Sequence, residues 1–288
     1  MKMRKKEALT GYLLILPLML GCTIFFAVPL GLVAWFSVVS GSGFSQVFVG
    51  VESYMKLAQN DIFRMATGNT ACFLLIGITL NLCIAYGKAL LMKRKVLGST
   101  LLRSVVVLPY VMPVVGTVLL VDILFTETGL MNLLLQWIGL PMQDWLNSPS
   151  AFIVALCLYL WKNIGYSVLL LLSGLNTISG ELYDASNLDG ASFRQQVRYI
   201  TIPQTWYSVF FAGVFSLINA FKCFREIFLI GGNHPHYSVY MLQHFINNSY
   251  EKMGYSKMAA ASILLVGLLC ALFCLCYWLV LRKEAYKE

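Results

Sequence analysis

The chain has 288 residues, of which 59% are hydrophobic and only 12% charged, with a formal net charge of +8. Its mean hydropathy is +0.74. About 25% charged residues is usual for a soluble domain, so this composition excludes one and points to a bilayer. A transmembrane barrel is excluded too, because no segments of about 10 residues alternate apolar with polar side chains.

A bilayer-spanning helix needs about 20 mainly apolar residues. Six stretches qualify, near 10–39, 67–92, 101–125, 151–175, 203–231 and 257–281. The first has a basic start, as a signal peptide does. Its apolar run over 12–39 is far longer than a signal core of about 7–15 residues, and no small-residue cleavage site follows promptly, so it is expected to be a retained span. Pro17 and Pro29 within it predict bends, which membrane helices tolerate. Lys88, one turn before the basic cluster that ends the second span, is placed to snorkel.

The fourth and fifth spans carry buried polarity. An ionisable group at the bilayer centre costs roughly 2.5–3.5 kcal/mol on insertion scales, so Lys162 and Lys222 must face protein or a watery path. Tyr159, Asn163 and Tyr166 recur at i, i+4 and i+7 and share one face. Ser216, Asn219, Cys223 and Glu226 share another, with Lys222 placed to pair with Glu226 at i+4. Aromatic faces and amides suit sugar rings and hydroxyls, but the same groups serve as hydrogen-bonding glue between helices. Tyr159, Asn163, Tyr166 and Asn219 are therefore candidates for a substrate path, with both roles open.

Between those spans lies DASNLDGASFRQQVRYITIP at 184–203, a polar loop flanked by strongly apolar sequence. Leu182, Ala185 and Leu188 fall on one helical face and Glu181, Asp184 and Asp189 on another, before Gly190 breaks the pattern. Phe193, Val197 and Ile200 at i, i+4 and i+7 predict a second short helix, and Pro203 opens the next apolar run. Two short amphipathic helices with a glycine elbow make a compact knob under a membrane. Asp184 and Asp189 could also serve merely as solvated or capping residues.

Orientation follows from Lys and Arg, 21 in all. Lys2, Arg4, Lys5 and Lys6, then Lys93, Arg94, Lys95 and Arg103, then Arg194 and Arg198, and finally Arg282, Lys283 and Lys287 cluster at the termini, the second connection and the polar loop. The other connections hold only Lys56, Arg64, Lys252 and Lys257. Positive charge marks the cytoplasmic side, so both termini and the loop are expected there. The basic balance is topological, and no nucleic-acid partner is expected.

The eight cysteines, Cys22, Cys72, Cys83, Cys157, Cys223, Cys270, Cys274 and Cys276, all lie in apolar segments and read as small packing residues. His234, His236 and His244 share one exterior segment, but no Cys or carboxylate completes a metal set, and no metal is expected. AAAS at 259–262 permits close helix packing. The chain contains no GxxxxGK[ST], HExxH or GxSxG, so neither ATP binding by a phosphate loop nor hydrolytic catalysis is expected of it.

The loop resembles the coupling loop of ABC importer permeases, whose pattern is Glu-Ala-Ala, three residues, Gly, nine residues, Ile, one residue, Leu-Pro. Asp184, Ala185, Ser186, Gly190, Ile200, Ile202 and Pro203 fill those places; Asp replaces Glu, Ser the second Ala, and Ile the Leu. GYLLILPLMLGCTIFFAVPL, Asn69-Thr70, LLRSVVVLPYVMPVVG at 101–116, GLMN at 129–132, WKNIGYS at 161–167 and INAFKCFREIFLIGG at 218–232 are similar to the carbohydrate type of that family over nearly the whole chain. LDGA at 188–191 tilts the resemblance towards sugars; Asn233 and His234 depart from it, where the family tends to place Pro.

The resemblance implies an all-α integral membrane fold, six transmembrane helices forming one permease domain over 1–288, with a cytoplasmic two-helix coupling loop at 176–202. It implies a prokaryotic cell membrane and a subunit of an ATP-driven sugar importer, the first of two non-identical permease subunits. Two ATP-binding subunits that use ATP and Mg, an extracytoplasmic sugar-binding protein and membrane lipid are the other partners. Glu181, Asp184, Ala185, Ser186, Asp189, Gly190, Ala191, Ile200 and Pro203 would make or shape the ATPase contact. The alternative is a stand-alone secondary transporter or channel for a small polar solute, for which an inverted repeat would be usual; none is evident.

Overall fold

The computed structural model describes residues 5–41, 46–93 and 99–284. Lys2, Arg4, Arg94, Lys95 and Lys287 lie outside these residues, as do the side chains of Lys5, Lys6, Arg103, Cys276, Arg282 and Lys283. Among the described residues six helical stretches are long and apolar enough to cross a bilayer: Thr10–Val38, Asp61–Lys93, Val114–Trp137, Ala151–Asn176, Trp206–Gly231 and Tyr255–Cys274. The fold is all-α apart from a two-stranded ribbon pairing Val39 with Phe48 and Ser40 with Val47.

The third stretch departs from expectation. Residues 101–125 fall in two helices, Ser99–Val111 and Val114–Phe125. Pro113 between them is extended (φ −64°, ψ 150°) and has no N–H to continue the first helix. The apolar stretch then runs on through Leu130–Trp137. The fifth is also divided, into Trp206–Lys222 and Phe224–Gly231 at Cys223, and begins at Trp206 rather than at 203.

Two prolines explain two widened turns. π-Helical Thr23–Ala27 precedes Pro29, and π-helical Val197–Thr201 precedes Pro203. A helical proline leaves the carbonyl four residues back without its donor. Widening the turn redistributes the bonds, with Val28 N donating to Thr23 O and Ile202 N to Val197 O.

The chain divides into two compact units, Met1–Arg64 with Phe245–Cys270, and Met65–His244 with Ala271–Glu288. In the first, Tyr54 Oη donates to Ser37 Oγ (2.7 Å), which donates to Ala34 O (2.6 Å). The hydroxyls of Ser53 and Ser256 share a 2.7 Å bond. Ala259, Ala260 and Ala261 are fully buried, whereas the apolar window of the first span is not buried at all.

In the second unit the fourth span, Ala151–Asn176, is the most buried and packs on Ser99–Val111 and Trp206–Lys222. Gly165 permits the first contact, because a Cβ there would run into the carbonyl of Val106. Ala85, Ala89, Val168, Leu171, Leu172, Leu175 and Ala212 form an apolar core. Buried Asn81 ties three spans together by donating to Ser167 Oγ (2.8 Å) and Ser216 Oγ (2.7 Å). Of the described cysteines only Cys223 is buried; Cys22, Cys72, Cys83, Cys157, Cys270 and Cys274 are exposed free thiols. The expected packing role therefore holds for Cys223 alone, the others being small weakly polar groups on outward-facing helix surfaces.

Candidate functional site

A cavity of ≈ 280 Å³ opens in the second unit where both helix breaks meet the middle of the fourth span. Tyr110, Met112, Pro113 and Val114 border it on one side, Asn219, Lys222, Cys223, Arg225 and Glu226 on another. Leu158, Tyr159, Lys162 and Asn163 complete its wall. Pro113 is extended here, and non-helical backbone within a membrane-spanning chain is tolerated where it lines a cavity.

Of the four path candidates, Tyr159, Asn163 and Asn219 line the cavity. Tyr166 does not. It stacks on Tyr110 (4.7 Å between centroids) and meets Phe215 edge-on (5.5 Å), so it braces a lining residue from behind. Tyr159 Oη donates to Ser216 O (3.0 Å), and Asn163 Nδ2 donates back to Tyr159 O (2.8 Å). Part of their polar capacity is thus spent on helix ties. The Asn219 side chain has no hydrogen-bond partner among the described residues.

Glu226 pairs with Lys162 (2.6 Å), not with Lys222. The expected i, i+4 pair is displaced because Lys162, on the fourth span, takes the Glu226 carboxylate. Glu226 is 5% exposed, and its Oε2 is buried without a partner. Sequence reasoning missed Arg225 and the turn at Tyr110–Val114. A guanidinium inside an apolar stretch was signal enough for the first; a Met-Pro pair breaking a long apolar run was the signal for the second.

The polar loop folds as helix Gly180–Leu188, an elbow at Gly190 (φ 75°), and a helical segment from Phe193 through Val197–Thr201 to Ile202–Gln204. Ser179 caps the first helix, accepting from Glu181 N (3.3 Å). Ser192 and Gln195 form a capping box on the second. Gln196 Nε2 donates to Ser186 Oγ (2.9 Å) and Asn187 Oδ1 (2.6 Å), locking the two helices together. Tyr183 shares a bond with the Thr201 hydroxyl (3.0 Å), and Lys93 Nζ sits 4.3 Å from its ring centroid, anchoring the knob to the end of the second span.

Glu181, Asp184, Ala185, Asp189, Gly190 and Pro203 are exposed; Ser186, Ala191 and Ile200 are half-buried. The Ser186 hydroxyl also donates to Tyr183 O (2.8 Å), so it braces the knob. The apolar face remains open, with Leu188 90% exposed, Tyr199 69% and Phe193 52%.

Near the end of the third stretch, buried Asn132 fastens the connection to the fourth. Its Oδ1 accepts from Gln143 N and Trp145 Nε1 (both 3.0 Å), and its Nδ2 donates to the carbonyls of Glu127 and Gln143 (both 3.0 Å). His236 Nδ1 bonds with Ser238 Oγ (2.9 Å). His244 is fully buried, with Nδ1 accepting from Met241 N (3.1 Å) and Phe224 4.7 Å from its ring. Among the described residues no three His, Cys, Asp or Glu side chains could hold a metal.

Six described stretches of membrane-spanning length, with a polar-walled cavity inside the second unit, are the make-up of a membrane transport protein. Residues 74–284 match the family described as the binding-protein-dependent transport system inner membrane component, and the chain belongs to that family. It is 28% identical to the trehalose/maltose transport system permease protein MalF of Thermococcus litoralis, over 91% of this chain and 90% of that protein. It is 31% identical to the probable ABC transporter permease protein YurN of Bacillus subtilis (92% and 94% covered), and 28% identical to the sn-glycerol-3-phosphate transport system permease protein UgpA of Yersinia pestis (96% and 95%). The fold is similar to a chain of a bacterial ABC transporter involved in the import of the acidic polysaccharide alginate, with a TM-score of 0.83 at 20% identity over 96% of each chain.

Family membership makes the chain a transport subunit of a cell membrane that works with a binding protein, with ATP hydrolysis in a separate subunit. A stand-alone channel or secondary transporter is thereby set aside.

Proposed function

We propose that this chain forms one half of the translocation path of an ATP-driven sugar importer and is driven through its loop at 176–202. A second, non-identical permease subunit, two ATP-binding subunits and an extracytoplasmic sugar-binding protein complete the assembly. The sugar assignment is supported by a relative named for trehalose and maltose. The loop and both termini face the cytoplasm in this reading.

One observation carries the coupling role: a rigidly braced knob presents an uncovered apolar face, Leu182, Leu188, Phe193 and Tyr199, beside the carboxylates Glu181, Asp184 and Asp189. Fully burying one such leucine stabilises a contact by about 1.5–3 kcal/mol, and nothing among the described residues covers Leu188. An ATPase cleft does. Closure of the ATPases then moves the knob as a rigid body, and with it the second span through Lys93 and Tyr183 and the fifth through Thr201 and Thr205.

The test uses the complete transporter. Leu188→Glu and Asp184→Lys are expected to leave the chain inserted while ATPase co-purification and ATP-driven uptake fall together. Gly190→Pro is expected to do the same, because a proline φ near −65° cannot occupy the 75° elbow. Normal uptake by all three variants at normal expression removes this loop as the coupling site.

A further inference from the structure

We propose that the cavity at the two helix breaks selects an acidic saccharide, one carrying a carboxylate or a phosphate ester beside its hydroxyls. This rests on the importer reading above and names its substrate class. The charge balance of the wall is the starting point. Lys162 and Glu226 neutralise one another at 2.6 Å. Lys222 and Arg225 remain on the same wall, and among the described residues neither has an ion-pair partner. Both are exposed at the open wall, so the described residues leave two cations there without an acid, within the stretch Trp206–Gly231.

Such charges are expensive in a bilayer unless water or a counter-ion reaches them. A solute with its own negative group supplies that counter-ion for as long as it occupies the cavity, and arginine presents a planar donor fork that matches carboxylate and phosphate oxygens. Two further features ask for hydroxyls rather than for a bare anion. Glu226 Oε2 is buried and has no donor. Asn219 offers an unengaged amide. A hydroxyl donating to that carboxylate oxygen, another accepting from the amide, and an anionic group between Lys222 and Arg225 would satisfy the wall together. Lys222, Arg225 and Glu226 follow one another around Cys223, and Asn219 lies about one turn before Cys223. A neutral saccharide would meet the two acceptor-seeking cations with hydroxyls alone, and charge-assisted hydrogen bonds are about twice as strong as neutral ones.

The experiment measures binding to the detergent-purified complete transporter without its binding protein, by calorimetry, with digalacturonate, glucose 6-phosphate and maltose as probes. At least one acidic probe is expected to bind about tenfold or more tightly than maltose, since one charge-assisted bond is worth about that factor, and to weaken as salt rises. Tighter digalacturonate assigns a carboxylate site; tighter glucose 6-phosphate assigns a phosphate site. The double substitution Lys222→Gln with Arg225→Gln is expected to erase the difference, while Lys222→Arg with Arg225→Lys keeps it; ATPase co-purification checks that each variant is assembled. Maltose binding as tightly as both acidic probes, or a preference untouched by the double glutamine variant, overturns the proposal. ATP-driven uptake into proteoliposomes, with the binding protein restored, separates the two readings. Import of maltose alone overturns acid selection and leaves the importer standing, whereas ATP-independent uptake overturns both.

Discussion

Gly165 sits where the carbonyl of Val106 occupies the space of a side chain, so a single methyl there must push the Ser99–Val111 helix away from the fourth span. Gly68, in the second span, has open space where a side chain would stand. Gly165→Ala is therefore expected to lower the thermal midpoint of the purified complex by several degrees, as overpacking costs of about 1–3 kcal/mol do. Gly68→Ala, which improves helix propensity by up to about 1 kcal/mol, is expected to leave it level or raise it. Equal effects of the two would show that the close approach is absent.

A second residue makes stability depend on pH. Burial, assisted by His234, lowers the His244 imidazole from its usual 6.5 to about 4. The unfolded chain then takes up the proton first as the pH falls, so stability present above about pH 6.5 is lost progressively towards pH 4, below which both states are protonated. A thermal midpoint lower at pH 5 than at pH 7.5 is expected. His244→Gln should be less stable at pH 7.5 but show a flatter dependence; a slope unchanged from the natural chain would place the titrating group elsewhere.

Among the elements, the connection from helix Leu130–Trp137 to the fourth span is fastened by Asn132, which holds Gln143 and Trp145. Asn132→Ala would leave the Gln143 amide and the Trp145 indole without their acceptor, and an unsatisfied buried donor costs about 1–3 kcal/mol. A lowered midpoint and a red-shifted tryptophan emission are expected, with ATPase attachment intact; an unmoved emission spectrum would show that Trp145 is held by its contact with Phe125 instead. Six long apolar stretches were legible because bilayer thickness fixes their length. The loop helices were legible because Gly190 and Pro203 punctuate them. The breaks at Met112–Pro113 and Cys223 were not, because hydropathy is blind to a helix that stops and restarts within one apolar run. The wrong partner for Glu226 has another cause: Lys162 stands on the fourth span, and spacing within the fifth cannot report a partner from outside it. Tyr166 shared the helical face of Tyr159 and Asn163 as periodicity requires, yet Tyr110 covers it; a neighbouring helix decides what a shared face sees.

Among the described residues six stretches are long and apolar enough to cross a bilayer. If each crosses once, both termini are expected on one side, with the 176–202 loop, after the fourth, on that same side. The segment 139–148, between the third and the fourth, is expected on the other. Which side is cytoplasmic rests on the asymmetry of Lys and Arg, dense at the termini, the second connection and the loop and sparse elsewhere. A fluorescent protein fused after Glu288 is expected to glow in the cytoplasm. In a chain whose native cysteines are replaced, a cysteine at Gly139 should react with an impermeant thiol reagent in intact cells. A cysteine at Asn187 should react only once the membrane is opened. Labelling of Asn187→Cys from outside would invert the molecule, put the apolar face of Leu188 beyond the reach of any ATPase, and remove the basis for coupling through the loop.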